Sequence, residues 1–92
     1  MNNLIRVERS IAKYNINDEH IVSEENIDSI SLKFLLSIVT PSDDDPLLYE
    51  GYILSEKQLM ELNNHCNNKL VFDLDSYYYV LECDGIYDYT KG

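Results

Sequence analysis

The sequence predicts an α+β domain: a small antiparallel sheet with two helices packed on one face. Three observations carry this reading. Residues 4–11 alternate apolar and polar side chains, residues 55–66 carry a capped helical stripe, and residues 69–83 return to alternation after it. Strand, helix, short strand, helix and closing strands in that order give an antiparallel sheet covered by helices on one side.

The first strand spans residues 4–11. Ile5, Val7 and Ile11 share one face at period two, with Arg6, Glu8 and Ser10 opposite. Arg9 interrupts the apolar face, which places the strand near a sheet edge. The turn-rich run of residues 14–19, Tyr-Asn-Ile-Asn-Asp-Glu, ends it. Residues 23–39 fit two patterns. Ser23 could cap a helix with Glu24 and Glu25 in its first turn and a stripe of Ile27, Ile30, Phe34 and Ile38. Ile30, Leu32, Phe34, Leu36 and Ile38 also alternate without a break, as a strand would. Length and start signal favour the helix, which buries Leu35 and leaves Leu32 at its margin.

Residues 40–46, Thr-Pro-Ser-Asp-Asp-Asp-Pro, form a loop, because two prolines stop regular structure and three consecutive aspartates are expected in solvent. Residues 47–54 are a short extended segment with Gly51 as a candidate bulge. Ser55 then caps the clearest helix, with Glu56 in its first turn, Leu59, Leu62 and Cys66 on one stripe and Met60 beside it. Asn63, Asn64, Asn67 and Asn68 stop it. Residues 69–74 and 77–83 read as strands joined by a tight turn at Asp75-Ser76. Asp84-Gly85 could turn a further hairpin into residues 86–89.

Ninety-two residues make one domain, 1–92, able to bury roughly 60–65% of the surface of its unfolded chain. With 45% hydrophobic and 26% charged residues, the composition is that of a globular protein. The charge is not ordinary. Seventeen acids face seven Lys and Arg, giving −10, and eight tyrosines lie among them. Residues 1–33 hold six acids and four bases, net −2; residues 34–92 hold eleven acids and three bases, net −8. Such a field repels phosphate backbones and anionic membranes and draws in basic proteins. Tyrosine is a preferred contact residue at protein interfaces. The N-terminal run lacks a basic stretch followed by an apolar one, and no apolar run approaches the roughly 20 residues of a membrane span, so the expected location is the cytoplasm. Cys66 and Cys83 could form one disulfide, but a cytoplasmic protein favours two thiols.

No catalytic, cofactor or metal set emerges. His65 and Cys66 are adjacent, so on a helix they point about 100° apart, and neither C-x-x-C nor H-x-x-x-H occurs. The bland reading is an exposed His65 and a core Cys66. A Cys83–histidine nucleophile pair is conceivable, but apolar and acidic surroundings raise a thiol's pKa and quench it. Three glycines provide no phosphate loop. Asp43, Asp44 and Asp45 are contiguous, whereas a calcium loop spaces its acids around a glycine. Asp73 and Asp75 would share one face of a strand, yet a chain this small has little room for a hydrolytic cleft. The run Tyr77-Tyr78-Tyr79 puts two rings on one face and one on the other; one face belongs to the core and the other is either structural or a contact surface. Direct nucleic-acid binding through stacked tyrosines needs a basic groove, which this charge forbids.

Residues 44–54, Asp-Asp-Pro-Leu-Leu-Tyr-Glu-Gly-Tyr-Ile-Leu, the helix capped by Ser55, and residues 72–83, Phe-Asp-Leu-Asp-Ser-Tyr-Tyr-Tyr-Val-Leu-Glu-Cys, resemble small acidic immunity proteins of bacterial polymorphic toxin and contact-dependent growth inhibition systems. The resemblance implies a non-enzymatic bacterial protein that binds a cognate basic toxin domain, often a nuclease, and blocks its active site or substrate surface. It brings no catalytic residues. The contact pool that charge, tyrosines and resemblance suggest together is Asp43, Asp44, Asp45, Glu50, Asp73, Asp75, Asp84, Tyr87 and Asp88. The rival class is a phage-type nucleic-acid mimic, an anti-CRISPR or anti-restriction protein using the same acids. Oligomeric state is left open.

Overall fold

The computed structural model describes residues 3–66 and 71–88. Its elements are β1 (Asn3–Asn15), β2 (Ile21–Asn26), α1 (Leu32–Ile38), β3 (Tyr52–Ile53), α2 (Glu56–His65) and β4 (Tyr77–Asp88). The four strands form one antiparallel sheet in the order β2-β1-β4-β3. The fold is therefore α+β, as expected, with both helices on one face. β1 lies in the interior of the sheet, not near an edge. Arg9 stays on the covered face with its Nε buried and without a hydrogen-bond partner among the described residues; its other contacts partly satisfy the charge, since Nη2 donates to the Leu47 carbonyl at 2.8 Å and the guanidinium lies 5.8 Å from the Tyr49 ring centre.

β1 and β4 pair from Asn3 opposite Asp88 to Asn15 opposite Tyr77. A register shift between Leu4 and Arg6 throws Ile5 out of the apolar row, leaving it 62% exposed. The hairpin expected at Asp84-Gly85 does not form. Gly85 sits within β4 opposite Val7, and the strand runs straight through it. The Tyr87 ring folds back over it, so a Cβ there would come within 2.9 Å of the ring and push this exposed side chain aside. β2 flanks β1 only along residues 10–14, and β3 flanks β4 only at Val80 and Leu81. Residues 3–8 and 84–88 thus continue as a two-stranded ribbon. Thirteen residues of β1 at about 3.3 Å each account for most of the longest dimension, 49 Å, and for a radius of gyration of 14.5 Å where a compact chain of this length has roughly 12 Å.

Neither pattern holds over residues 23–39 as a whole: the alternating stretch from Ile30 to Ile38 is helical from Leu32 on, and a strand lies instead at Ile21–Asn26, where the helix start is expected. Glu24 and Glu25 belong to β2, so Ser23 caps nothing. The chain then leaves the sheet in a defined way. Ile27 N–H donates to the Arg9 carbonyl at 2.9 Å, and Arg9 N–H donates to Asp28 Oδ1 at 2.8 Å, so both backbone groups of Arg9 stay bonded where β2 ends. Ile27 and Ile30 turn into the core, and Ser31 is the true cap of α1, accepting from Phe34 N–H at 3.1 Å. Leu35 is buried and Leu32 is marginal, as the helical reading required.

Ser55 and Gln58 form a reciprocal capping box on α2, and Gln58 Nε2 also donates to the last-turn carbonyl of Ile38 at 2.9 Å, tying the two helices together. Phe34 stacks on exposed His65 across the same junction, with ring centres 3.8 Å apart. Leu35, Leu59 and Leu62 pack with Ile11, Tyr79 and Leu81 of the sheet in one core. Cys66 borders that core, half-buried, and both cysteines are free thiols. Asn67, Asn68 and the first two residues of the expected strand 69–74 lie outside the described residues, as does Tyr89. The rest of that strand, residues 71–74, is irregular and enters a turn at residues 74–76. Tyr77 and Tyr79 face the helices and Tyr78 faces away, the two-to-one split expected of the run. Among the described residues no helix is long and apolar enough to cross a membrane.

Leu62 has no exposed surface, so Leu62→Ala should cost about 2–5 kcal/mol in urea unfolding. Met60, 58% exposed on the same helix, should change stability by no more than about 0.5 kcal/mol when replaced by Ala. Equal effects of the two would contradict the packing of α2 described above.

Candidate interaction surface

The sheet face turned away from the helices gathers the features that charge and tyrosine content brought to attention. Alternation places Arg6, Glu8, Ser10, Ala12 and Tyr14 of β1 on this open face. Their β4 partners Ile86, Asp84, Glu82, Val80 and Tyr78 stand beside them, and Asn26 and Glu24 of β2 pair with Ser10 and Ala12. Glu8, Glu24 and Asp84, with Arg9, Ser10 and Asn26, line one depression. Next to it, Tyr14 and Tyr78 stack with ring centres 5.2 Å apart. Ile53 of β3, 72% exposed, extends the face on its other side.

The electrostatics of this face are unbalanced. Glu8 stands directly opposite Asp84, an arrangement of like charges that weakens a strand pair. Arg6 relieves it in part through an ion pair to Glu8 at 2.6 Å. Tyr14 Oη donates to Glu82, and this bond, then burial, then the negative charges of Glu82 and Glu24 push the phenol up to about 12. The phenol holds its proton. The arrangement presents carboxylates beside flat aromatic rings. Cys83 lies on the covered side, where burial raises its thiol further above neutrality. No group of three or more His, Cys, Asp or Glu placed to hold a metal occurs among the described residues.

The residues proposed from sequence are spread over four places. Asp84 is on the open face. Asp43 and Asp44 are exposed in the loop, and Glu50 is exposed at the far side of the same loop. Tyr87 is on the covered side of the ribbon, beside Leu4, Val7, Tyr49 and Cys83, and Asp88 ends β4 opposite Asn3. Asp73 and Asp75 do not alternate on a strand; they form a turn in which Asp75 N–H donates to Asp73 Oδ1 at 3.1 Å, and with Glu56 they border a groove beside α2.

Asp45 corrects the expectation most sharply. It is not solvated but 4% exposed. Its carboxylate accepts from Tyr49 N–H at 2.8 Å, Glu50 N–H at 2.9 Å and Tyr52 Oη at 2.6 Å. Tyr52 Oη in turn accepts from Ser42 N–H at 3.2 Å. Asp45 is the polar knot of the loop, and it holds Leu48 fully buried at a positive φ of 57°. The segment expected to extend over residues 47–54 is accordingly curled, with only Tyr52–Ile53 as strand, and Gly51 has no bulge or positive φ. Sequence reasoning missed Glu8, Glu24 and Tyr14 as members of a surface. The polar row Arg6, Glu8, Ser10 was legible, but its juxtaposition with Glu82 and Asp84 depends on a pairing of the two ends of the chain.

Residues 8–82 match the family described as Domain of unknown function (DUF7683). The chain belongs to this family. The matched stretch runs from the first acid of the open face, Glu8, to Glu82, and includes both stacked tyrosines. No curated protein and no solved structure matches the chain.

Two pH effects follow. Burial works to raise the Asp45 carboxyl, but the hydrogen bonds from Tyr52, Glu50 and Tyr49, with Arg9 nearby, outweigh it and hold the group below the usual carboxylate range. A lowered folded value stabilises the protein above about pH 4, the value of an unfolded carboxyl, and that stability is lost as pH falls through the folded value. Asp45→Asn should therefore be less stable than wild type at pH 7, with the gap narrowing below about pH 4; a constant gap in urea midpoints would contradict this. Tyr14 has the opposite sign. Its raised value gives stability that is full below about pH 10 and lost toward about pH 12. Tyr14→Phe should trail wild type at pH 8 and converge with it above about pH 10, and parallel curves would show that the hydrogen bond contributes nothing.

Proposed function

We propose that this chain is a binding protein that holds a basic protein partner against the open face of its sheet, without chemistry of its own. The observation that carries the reading is the placement of Glu8, Glu24, Glu82 and Asp84 beside the stacked Tyr14 and Tyr78, on the face that the helices leave uncovered. Carboxylates of one sign steer a basic partner toward the surface and speed association. Tyrosine rings then give broad contact at little conformational cost and slow release. A net charge of −10 favours a partner that carries a basic cleft of its own.

The resemblance of residues 44–83 to immunity proteins makes this reading specific. The partner is a cognate toxin domain, and a nuclease fits best, because a nuclease needs a basic surface to hold phosphates. Occlusion of that surface or of the active site would neutralise it.

Co-expression with the protein encoded immediately upstream should yield a complex and relieve that protein's toxicity; a neighbour that is neither toxic nor bound would sink the immunity reading. Within such a complex, replacing Glu8, Glu24 and Glu82 by Gln and Asp84 by Asn together should slow association by about tenfold or more at low salt. The difference should shrink as the Debye length falls from about 10 Å at 0.1 M salt to about 3 Å at 1 M. Competition with DNA for several unrelated DNA-binding proteins would instead place the chain in the second class, that of nucleic-acid mimics.

A further inference from the structure

A groove of about 430 Å³ lies away from the open face, between α2 and residues 72–75. Leu59 and Phe72 form its floor, both packed into the core. Met60 and Leu74 stand at its mouth, 58% and 36% exposed. Three carboxylates, Glu56, Asp73 and Asp75, border it, and among the described residues no Lys, Arg or His lines it. Its size is that of sites that take a small molecule or a few side chains.

The wall that carries the acids is fixed before anything binds. Asp73 N–H donates to Tyr79 Oη at 2.9 Å, the Asp73 carbonyl accepts from Tyr77 N–H at 3.0 Å, and Asp73 Oδ1 accepts from Asp75 N–H at 3.1 Å. The Phe72 ring meets the edge of the same Tyr79 at 5.0 Å. Tyr79 is itself buried, so the turn is anchored to the core. Each carboxylate still has accepting capacity beyond the bonds it makes.

We propose that this groove receives a lysine or arginine side chain and a neighbouring apolar side chain from an extended segment of a basic protein. The aliphatic stem and the apolar neighbour lie against Met60 and Leu74, and the cationic head reaches Asp73, Asp75 and Glu56. Charge complementarity selects this occupant over a second copy of the chain, which would bring ten more negative charges to a rim bordered by three carboxylates. The assignment rests on the reading that the partner is basic, and it names the part of the partner that enters.

The test uses the full chain with ¹³C-methyl-labelled methionine and a fluorescein-labelled pentapeptide, Lys-Leu-Lys-Leu-Lys, blocked at both ends. Binding should shift the Met60 methyl signal, identified from its loss in Met60→Leu. The double variant Asp73→Asn, Asp75→Asn keeps the acceptor of the turn. It should bind about tenfold more weakly, the loss of one charge-assisted hydrogen bond, with an unchanged urea midpoint. Peptides with Glu in place of Lys, or Ser in place of Leu, should bind much less. A Met60 signal that stays put at saturation overturns the proposal, as does equal binding of the Ser peptide or of the double variant. The open-face variant carrying Gln at 8, 24 and 82 and Asn at 84 should bind the peptide like wild type; loss there alone would move the cation site to the sheet and overturn the groove. No toxin enters this experiment, so a failed co-purification and a failed peptide titration are separate results.

Discussion

The antiparallel pairing of β1 with β4 is the constraint on which the rest of the structure depends. It joins segments from opposite ends of the chain, so a loop of more than 60 residues must close before any of its hydrogen bonds form. Once closed, it separates the molecule into two chemically distinct sides. One side receives Leu35, Leu59 and Leu62 and becomes the core; the other carries Glu8, Glu82 and Asp84 with Tyr14 and Tyr78. Neither side exists within a single segment. β2 and β3 are short additions to this ribbon, one held where Ile27 and Asp28 satisfy the backbone of Arg9, the other by Leu54 N–H donating to the Tyr79 carbonyl at 2.8 Å.

A second, polar organisation holds the long connection between the helices. Residues 40–50 contain no helix or strand, yet Leu48 within them is fully buried. Backbone in such a loop must find partners, because an unsatisfied buried amide costs free energy on the scale of a lost hydrogen bond. Asp45 meets that need with two oxygens for three donors, and Arg9 closes the loop from the sheet through the Leu47 carbonyl. An acid and a base that look like surface residues in sequence thus act inside, while Asp43 and Asp44 beside the same acid remain in solvent.

What could be read from sequence was what depends on near neighbours. The Ser55 cap of α2, its buried Leu59 and Leu62, the loop at residues 40–46 and the two-faced tyrosine run are all local, and all are present. Errors arose where a long-range partner overrode a local signal. Ser23-Glu24-Glu25 reads as a helix start, but β1 offers it a strand partner. Asp84-Gly85 reads as a turn, but Glu8 and Val7 lie opposite and carry the strand through. Three aspartates in a row read as a solvated patch, and only the fold distinguishes the one that ties the loop. The candidate surface was legible as a kind of surface, acidic and tyrosine-bearing. Its membership was not, because Glu8 and Asp84 are neighbours only through the sheet.

The facing pair of Glu8 and Asp84 has an evolutionary consequence. A mutation that makes Asp84 neutral or basic would ease a repulsion in the free protein and leave the Arg6–Glu8 ion pair in place, so stability alone gives no reason to keep the acid there. A lineage that keeps both acids opposite one another is under a different pressure, set by whatever charge arrives to meet them. If the binding reading proposed above holds, comparing close relatives at these two positions would separate chains that keep such a partner from chains that have lost it.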